Sequence, residues 1–168
     1  TMKKIVVVMI VIALILLGKK GYGYVRKYRH SKRLKISFKG IYFPKLKLTS
    51  LISDVPTSVG LNIGNFSPSD FELSQISIDV YDEQDNLIAE PRSPLSKPIK
   101  LKPNQNNTFP LAYLISAQKI KQIIRNAGGI ATVGTNYLTS GSYGILLKLK
   151  GFVVAEGLKI EINETITV

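Results

Sequence analysis

The carboxylates that lie closest together along the chain are Asp79, Asp82, Glu83 and Asp85. Closely spaced carboxylate oxygens are the ligands that calcium prefers, but a calcium loop places its acidic or amide residues at alternate positions before a glycine. That spacing is absent, so the cluster predicts a solvated polar hairpin. The sequence accordingly predicts no metal site.

Side chains for nucleophilic chemistry are scarce. The chain has no cysteine, which excludes disulfides, thiol catalysis and cysteine zinc sites, and its one histidine is His30. His30 lies inside a basic run, Ser140 and Ser142 have no paired base, and no phosphate-binding glycine pattern occurs. We therefore predict that the protein is not an enzyme, with no catalytic residue and no cofactor.

The charge of the 168-residue chain is strongly asymmetric. Its formal net charge is +12, yet residues 1–50 hold thirteen lysines and arginines and no acid, the first carboxylate being Asp54. Residues 51–168 hold ten basic and eleven acidic residues. A basic arm beside a nearly neutral body points to lipid headgroups or nucleic acid as partners of the arm.

A continuous apolar run occupies residues 5–17, with two lysines close to each end. As a helix it covers roughly 20 Å, less than the ~30 Å hydrocarbon core of a bilayer. The lysines extend the effective span because their side chains reach the headgroups. No small-residue cleavage site follows Leu17, so residues 1–20 are predicted to be a retained transmembrane anchor rather than a cleaved signal or a core helix.

The sequence leaves open the side of the membrane on which the C-terminal body lies. Counting lysine and arginine near the span favours the cytoplasmic side, because eight of them follow the apolar run by residue 35 and two precede it. An ordinary N-terminal anchor would place the body outside. The predicted location is a bacterial inner membrane or the internal membrane of a virion, with a single pass.

Residues 21–44 form a predicted basic and aromatic stem. Each basic residue beside an anionic leaflet contributes on the order of 1 kcal/mol, and tyrosines are typical of the interface. Tyrosine and arginine also stack on bases, which keeps nucleic acid as an alternative partner. The residues predicted to contact anionic lipid are Lys19, Lys20, Tyr22, Tyr24, Arg26, Lys27, Tyr28, Arg29, Lys32 and Arg33.

From Ile36 onward the apolar residues recur with a period of two, which is typical of strands. Two strand pieces are predicted on either side of Pro44, the second around Leu46 and Leu48. Further strands are predicted within residues 59–63, 71–80, 87–89, 108–114, 143–155 and 160–168, with a bulge at 74–75 and turns at 65–70, 82–86 and 104–107. About seven short strands separated by turns predict an antiparallel β-sandwich.

One helix is predicted after Ser116, which is a favourable N-cap. Ile120, Ile123, Ile124 and Ala127 fall on one face of it, and the glycine pair at 128–129 is suited to end it. The fold prediction is therefore mainly β, an immunoglobulin- or fibronectin-like sandwich with one short helix, preceded by the transmembrane helix.

Residues 45–168 resemble the late-embryogenesis-abundant (LEA) type 2 family, which shares the water-stress and hypersensitive-response (WHy) domain. The resemblance rests on LNIGNFSPSDFELSQISIDVYDEQDNLIA, IKLKPNQNNTFPL, the late helix and ILLKLKGFVV. The family pattern has an apolar strand ending in Asn-Pro, whereas here Phe66 and Ser67 separate Asn65 from Pro68. The resemblance implies a seven-stranded sandwich, no enzymatic chemistry, and an N-terminal membrane anchor as in several members.

Taken together, these patterns predict a non-enzymatic, single-pass membrane protein that presents a β-sandwich beside an anionic membrane, in an envelope or a stress response, with protein partners in a larger assembly. One alternative is a structural membrane protein of a virion, in which the sandwich links an internal bilayer to the capsid. A second alternative is nucleic-acid binding through the stem.

Overall fold

A computed structural model describes residues 33–92, 95 and 97–168. They form a mainly β domain with two antiparallel sheets and two helices, which confirms the predicted antiparallel sandwich. The predicted anchor and the stem up to Lys32 lie outside the described residues. Within the part of the chain that the structure describes, no helix has the length and apolar character needed to span a bilayer.

The described residues form eight strands, a 3₁₀ turn and two helices. In chain order they are β1 (Leu34–Tyr42), the 3₁₀ turn (Leu48–Leu51), β2 (Val55–Asn65), β3 (Phe71–Tyr81), β4 (Leu87–Ala89), β5 (Ile99–Leu101), β6 (Gln105–Ile115), α1 (Ala117–Asn126), α2 (Gly129–Ser140), β7 (Leu146–Ala155) and β8 (Leu158–Thr167). The strands divide between a three-stranded first sheet, ordered β1-β2-β6, and a five-stranded second sheet, ordered β4-β3-β7-β8 with β5 also on β3.

Alternating apolar residues build the core, as the two-residue period requires. In β2, Val59, Leu61 and Ile63 are buried between less buried neighbours. The predicted bulge at 74–75 is confirmed, since the β3–β7 register shifts between Leu73 and Gln75. The two sheets also share a polar tie, because the buried hydroxyl of Tyr113 on β6 donates to the Ile78 carbonyl on β3 at 2.9 Å. Burial raises the pKa of the Tyr113 phenol, and the Asp79 carboxylate raises it further.

The pairing defines two ends of the sandwich. Leu34, where β1 begins, pairs with Asn65, which in turn pairs with Gln105; we call this the proximal end. The opposite, distal end holds Tyr42 and Ile115, and both helices belong to it because α1 follows β6 directly. The nine residues of β1 separate the ends by roughly 30 Å at about 3.3 Å per residue.

Two predictions about local structure are wrong. Leu46 and Leu48 do not form a strand; Leu48 opens the 3₁₀ turn Leu48–Leu51 instead. The predicted turn at 104–107 is confined to its first residue, Asn104, whose φ of 57° is left-handed, and β6 begins at Gln105. The strand predicted from Ile36 is β1, which lies within the residues 21–44 assigned to the stem and pairs with β2.

The predicted single helix is confirmed as α1 but is followed by a second. The Ser116 hydroxyl accepts the Lys119 N–H at the start of α1, and Ile120, Ile123 and Ile124 are buried. Gly128 and Gly129, with φ of 94° and 90°, end α1 and also redirect the chain into α2. The glycine pair is therefore a connection between two helices, not the end of helical structure.

Candidate interaction surface

Of the ten residues predicted to contact lipid, the described residues include Arg33. It lies in an exposed turn at the proximal end, directly before β1. Its backbone carbonyl accepts the Phe66 N–H at 3.1 Å. The stem therefore enters the sandwich at the proximal end. Outside the described residues lie the other nine: Lys19, Lys20, Tyr22, Tyr24, Arg26, Lys27, Tyr28, Arg29 and Lys32.

Asn65 organises the turn next to this entry point. Its fully buried side chain donates to the carbonyls of Ser69 and Leu101, both at 2.8 Å, and accepts the N–H and hydroxyl of Ser67. The neighbouring Phe66 is 46% exposed. A residue that is buried and fully hydrogen-bonded has a structural role, so Asn65 is not an acceptor for glycosylation although it begins an Asn-x-Ser pattern.

Phe66 and Lys35 were missed by sequence reasoning as candidates for headgroup contact. The Lys35 ammonium lies 5.4 Å from the centroid of the Phe66 ring, within the range of a cation–π contact. An exposed aromatic ring with an adjacent cation suits the interface between lipid and water. Their proximity depends on β1 running beside the end of β2, which composition does not reveal.

The acidic hairpin supports the fold, because the carboxylates of Asp82 and Asp85 both bind other residues of the domain. The Asp82 carboxylate is 1% exposed and accepts hydrogen bonds from Asn86, Gln122 and Asn126. Burial alone would raise the pKa of Asp82, but bonds from Asn86, Gln122 and Gln84 together lower it. These bonds connect the hairpin to α1.

Asp85, at the tip of the same hairpin, accepts the ammonium groups of Lys148 and Lys150 at 2.8 and 2.7 Å. Hydrogen bonds from Lys148 and then Lys150 lower the pKa of Asp85 to about 2. Within residues 33–92, 95 and 97–168, no group of three or more acidic or histidine side chains has a geometry that would hold a metal ion. The hairpin is polar as predicted, yet Asp82 in it is buried rather than solvated.

A shallow apolar depression of about 390 Å³ lies at the distal end, between α1, the start of α2 and the 3₁₀ turn. Its floor and walls include Leu51, Ile124 and Ile130, and Lys121 and Arg125 stand at its edge. Ile130 is 60% exposed, and two further apolar side chains at this end are exposed as well, Ile52 by 79% and Leu138 by 86%. We call Leu51, Ile52, Lys121, Arg125, Ile130 and Leu138 the distal patch.

An aromatic cluster fixes α2 against the sandwich beside this patch. Tyr137 of α2 stacks on Tyr143 with ring centroids 4.6 Å apart, and Phe43 meets Tyr143 edge-on at 5.9 Å. The Tyr143 hydroxyl accepts the Leu46 N–H at 2.8 Å. A second cavity, of about 550 Å³, opens beside these rings. The cluster positions both the segment after β1 and α2, and so holds the distal patch in place.

The part of the distal end formed by residues 41–53 and 117–147 is basic as well as apolar, since it contains no acidic residue. Asp54, the next acid along the chain, accepts the N–H of Ala117 at the start of α1. The acidic hairpin lies at the same end, after Tyr81 of β3, and contacts α1 through Asp82. The positive charge of this surface comes from Lys45, Lys47, Lys119, Lys121 and Arg125.

No protein-family model and no curated protein matches the chain. Among solved structures, a protein from Arabidopsis thaliana has a TM-score of 0.50 at 11% identity, over 79% of each chain. A protein from Archaeoglobus fulgidus gives 0.45 at 11%, over 80% of this chain and 94% of that one. The putative ApaA protein from Bordetella pertussis gives 0.46 at 9%, over 80% and 91%. At such identities the Arabidopsis likeness shows a shared fold and nothing about function.

Proposed function

We propose that the chain is a non-enzymatic, single-pass membrane protein of the LEA type 2 kind, whose immunoglobulin- or fibronectin-like sandwich presents a binding surface beside an anionic membrane. Residues 1–20 anchor it, the stem binds headgroups, and the sandwich carries the distal patch. The observation that supports this most directly is the position of Arg33: the stem meets the sandwich at one end of its long axis, and the apolar patch lies at the other.

The geometry of the described residues favours binding over catalysis. The buried carboxylate Asp82 and the buried hydroxyl of Tyr113 both have hydrogen-bond partners inside the domain. The cavity that Asp82 lines has a volume of about 20 Å³, which is too small to admit a substrate. What the surface offers instead is exposed apolar area bordered by cations, which is typical of an interaction site.

The stem is tested with a single thiol, which the cysteine-free chain allows. Ser31→Cys would carry an environment-sensitive dye in the full chain, reconstituted in vesicles of phosphatidylcholine with or without phosphatidylserine. We expect anionic vesicles to shield the dye from an aqueous quencher, because the stem's cations are held at the anionic surface. Added salt should remove this shielding, because it screens the charges. Replacing Arg26, Lys27, Arg29, Lys32 and Arg33 with glutamine should abolish the difference between the two lipids.

The matched control removes five cations from the distal end of the sandwich, by changing Lys45, Lys47, Lys119, Lys121 and Arg125 to glutamine, and should leave the shielding unchanged. Equal quenching of the parent chain in both lipids would contradict headgroup binding. DNA binding that falls steeply with salt and persists in detergent without lipid would instead support the nucleic-acid alternative.

A further inference from the structure

Helix α2 is an uncharged helix on the surface of a charged protein. The stretch from residue 126 to 147 contains no charged side chain, whereas charged residues make up 20% of the chain. Within α2, Val133 is buried, while Ile130 and Leu138 point outward, 60% and 86% exposed. A helix that leaves its large apolar side chains in water and has no charge to solvate it needs a partner surface.

Three of the hydroxyl groups in α2 donate hydrogen bonds back to carbonyls of the preceding helical turn. Thr132 donates to the Gly128 carbonyl and Thr139 to that of Thr135, both at 2.9 Å, and Ser140 donates to Asn136 at 2.7 Å. Such bonding back to the preceding turn is how serine and threonine are accommodated where water is scarce. The outer surface of α2 therefore presents few free donors.

Cations border this surface on the side of α1. Lys121 and Arg125 line the same depression as Ile130, and the carboxylates of the acidic hairpin meet α1 elsewhere, through Gln122 and Asn126. Long basic side chains next to exposed isoleucine and leucine suit an anionic bilayer, since the apolar groups enter the interface and the cations meet phosphates.

We propose that the distal patch docks on an anionic bilayer that faces the one holding the anchor, so that the protein bridges two membranes. The proposal rests on the proposed function, because the stem must hold the proximal end at its own bilayer. Leu34 and α2 lie at opposite ends of the sandwich. A domain that is held at Leu34 therefore presents α2 on the side away from the anchor.

A lipid surface fits these observations better than a protein partner. Specific protein interfaces contain about one hydrogen bond per 100–200 Å², and α2 offers few outward donors with which to make them. The apolar side chains of the distal patch project from separate elements, Ile52 beside the 3₁₀ turn and Leu138 near the end of α2. Projecting apolar groups with cations between them insert into a soft interface without needing a complementary shape.

The test uses the full chain in donor vesicles that contain phosphatidylserine and are fixed to beads, with labelled acceptor vesicles free of protein. We expect the donors to capture phosphatidylserine-containing acceptors at least about tenfold better than phosphatidylcholine acceptors. Two paired variants, Ile130→Ser with Leu138→Ser and Lys121→Gln with Arg125→Gln, should each lower capture by about tenfold.

Two matched pairs serve as controls. Lys100→Gln with Lys102→Gln removes the same charge near the proximal end, and Leu87→Ser with Leu114→Ser removes exposed apolar groups of β4 and β6. Both should capture acceptors within about twofold of the parent chain, as expected of surface changes outside a binding site. All variants are compared at matched thermal stability, and a destabilised serine pair is replaced by Ile130→Gln with Leu138→Gln.

The outcomes separate the two proposals. If both double variants of the distal patch capture acceptor vesicles as well as the parent chain does, the bridging proposal is overturned. It is also overturned if neutral and anionic acceptors are captured equally. Neither result contradicts the membrane anchor. Capture only when the acceptors also carry the chain shows self-association and overturns it too. If alkaline carbonate releases the chain from the donor vesicles, the membrane anchor is contradicted. The bridging proposal is then contradicted as well, because it depends on the anchor.

Discussion

Replacing Gly151 with alanine should destabilise the sandwich by about 3 kcal/mol or more, toward the upper end of what overpacking costs. Gly151 lies on β7 opposite Ile78 of β3. A Cβ at this position would lie 2.0 Å from the Ser77 carbonyl oxygen and 2.7 Å from the Ile78 Cα. Both atoms belong to backbone in the middle of the second sheet, so relief requires the β3–β7 ladder itself to move.

Gly134→Ala is the matched control for this substitution. Gly134 lies in α2, and a Cβ there would meet nothing within 4 Å. Because alanine is favoured over glycine in helices by up to about 1 kcal/mol, the control should be neutral or slightly stabilising. Thermal unfolding of the full chain in mild detergent, followed by circular dichroism, would measure both. A Gly151→Ala midpoint within about 2 °C of the parent would contradict the close approach of the strands.

The second large effect is expected at Asp82. Asp82→Ala removes the buried carboxylate that accepts hydrogen bonds from Gln122 and Asn126 of α1. Because each hydrogen bond to a charged group contributes about 1.5–3 kcal/mol, the substitution should cost about 2–4 kcal/mol. Asp85→Asn on the same hairpin is the control, because asparagine tolerates the left-handed φ of 65° at this position. It should cost much less, because Asp85 is 55% exposed and its lysine partners are readily solvated. Equal losses in the two variants would show that the buried carboxylate is not what supports α1.

The stabilisation from Asp82 should also depend on pH. Its pKa is lowered in the folded protein from the ordinary value of 3.8, so the folded state holds the charged form more strongly than the unfolded state. That contribution to stability is fully present above the pKa that Asp82 has in the unfolded state. It is lost as the pH falls through the lower pKa that Asp82 has in the folded state. Asp82→Asn should therefore lose less stability than the parent between neutral and acidic pH. Parallel stability curves would contradict a charged Asp82.

The fold was predictable where each segment carries its own pattern. The alternation of Val59, Leu61 and Ile63 predicts β2 because one face of a strand must meet the core. Ser116 and the isoleucines after it predict α1 for the same reason. Helix α2 has neither signal: it is rich in glycine and threonine, which are poor helix formers, and it buries mainly Val133. Its position depends on the stacking of Tyr137 on Tyr143, a tertiary contact.

The candidate site was harder to predict than the fold, because its properties arise between segments. Asp82 was expected to be solvated, since nothing in the hairpin sequence shows that Gln122 and Asn126 will cover it. Ile52 and Ile130 read as ordinary core residues until their exposure is known. The stem was predicted from composition alone, because charge density beside an apolar run is a local property.

The way β1 is attached has a mechanical consequence. A force that pulls on the stem acts on β1 at Leu34, and a force that pulls on the distal patch acts on the helices at the opposite end. Since β1 pairs along its length with β2, from Leu34 opposite Asn65 to Tyr42 opposite Ser58, the pull runs parallel to both strands. Their hydrogen bonds lie across that direction and share the force, so the ladder is sheared as a whole rather than opened one bond at a time. We expect the sandwich to withstand more force between these two ends than between Leu34 and Asn65, where the same ladder would unzip.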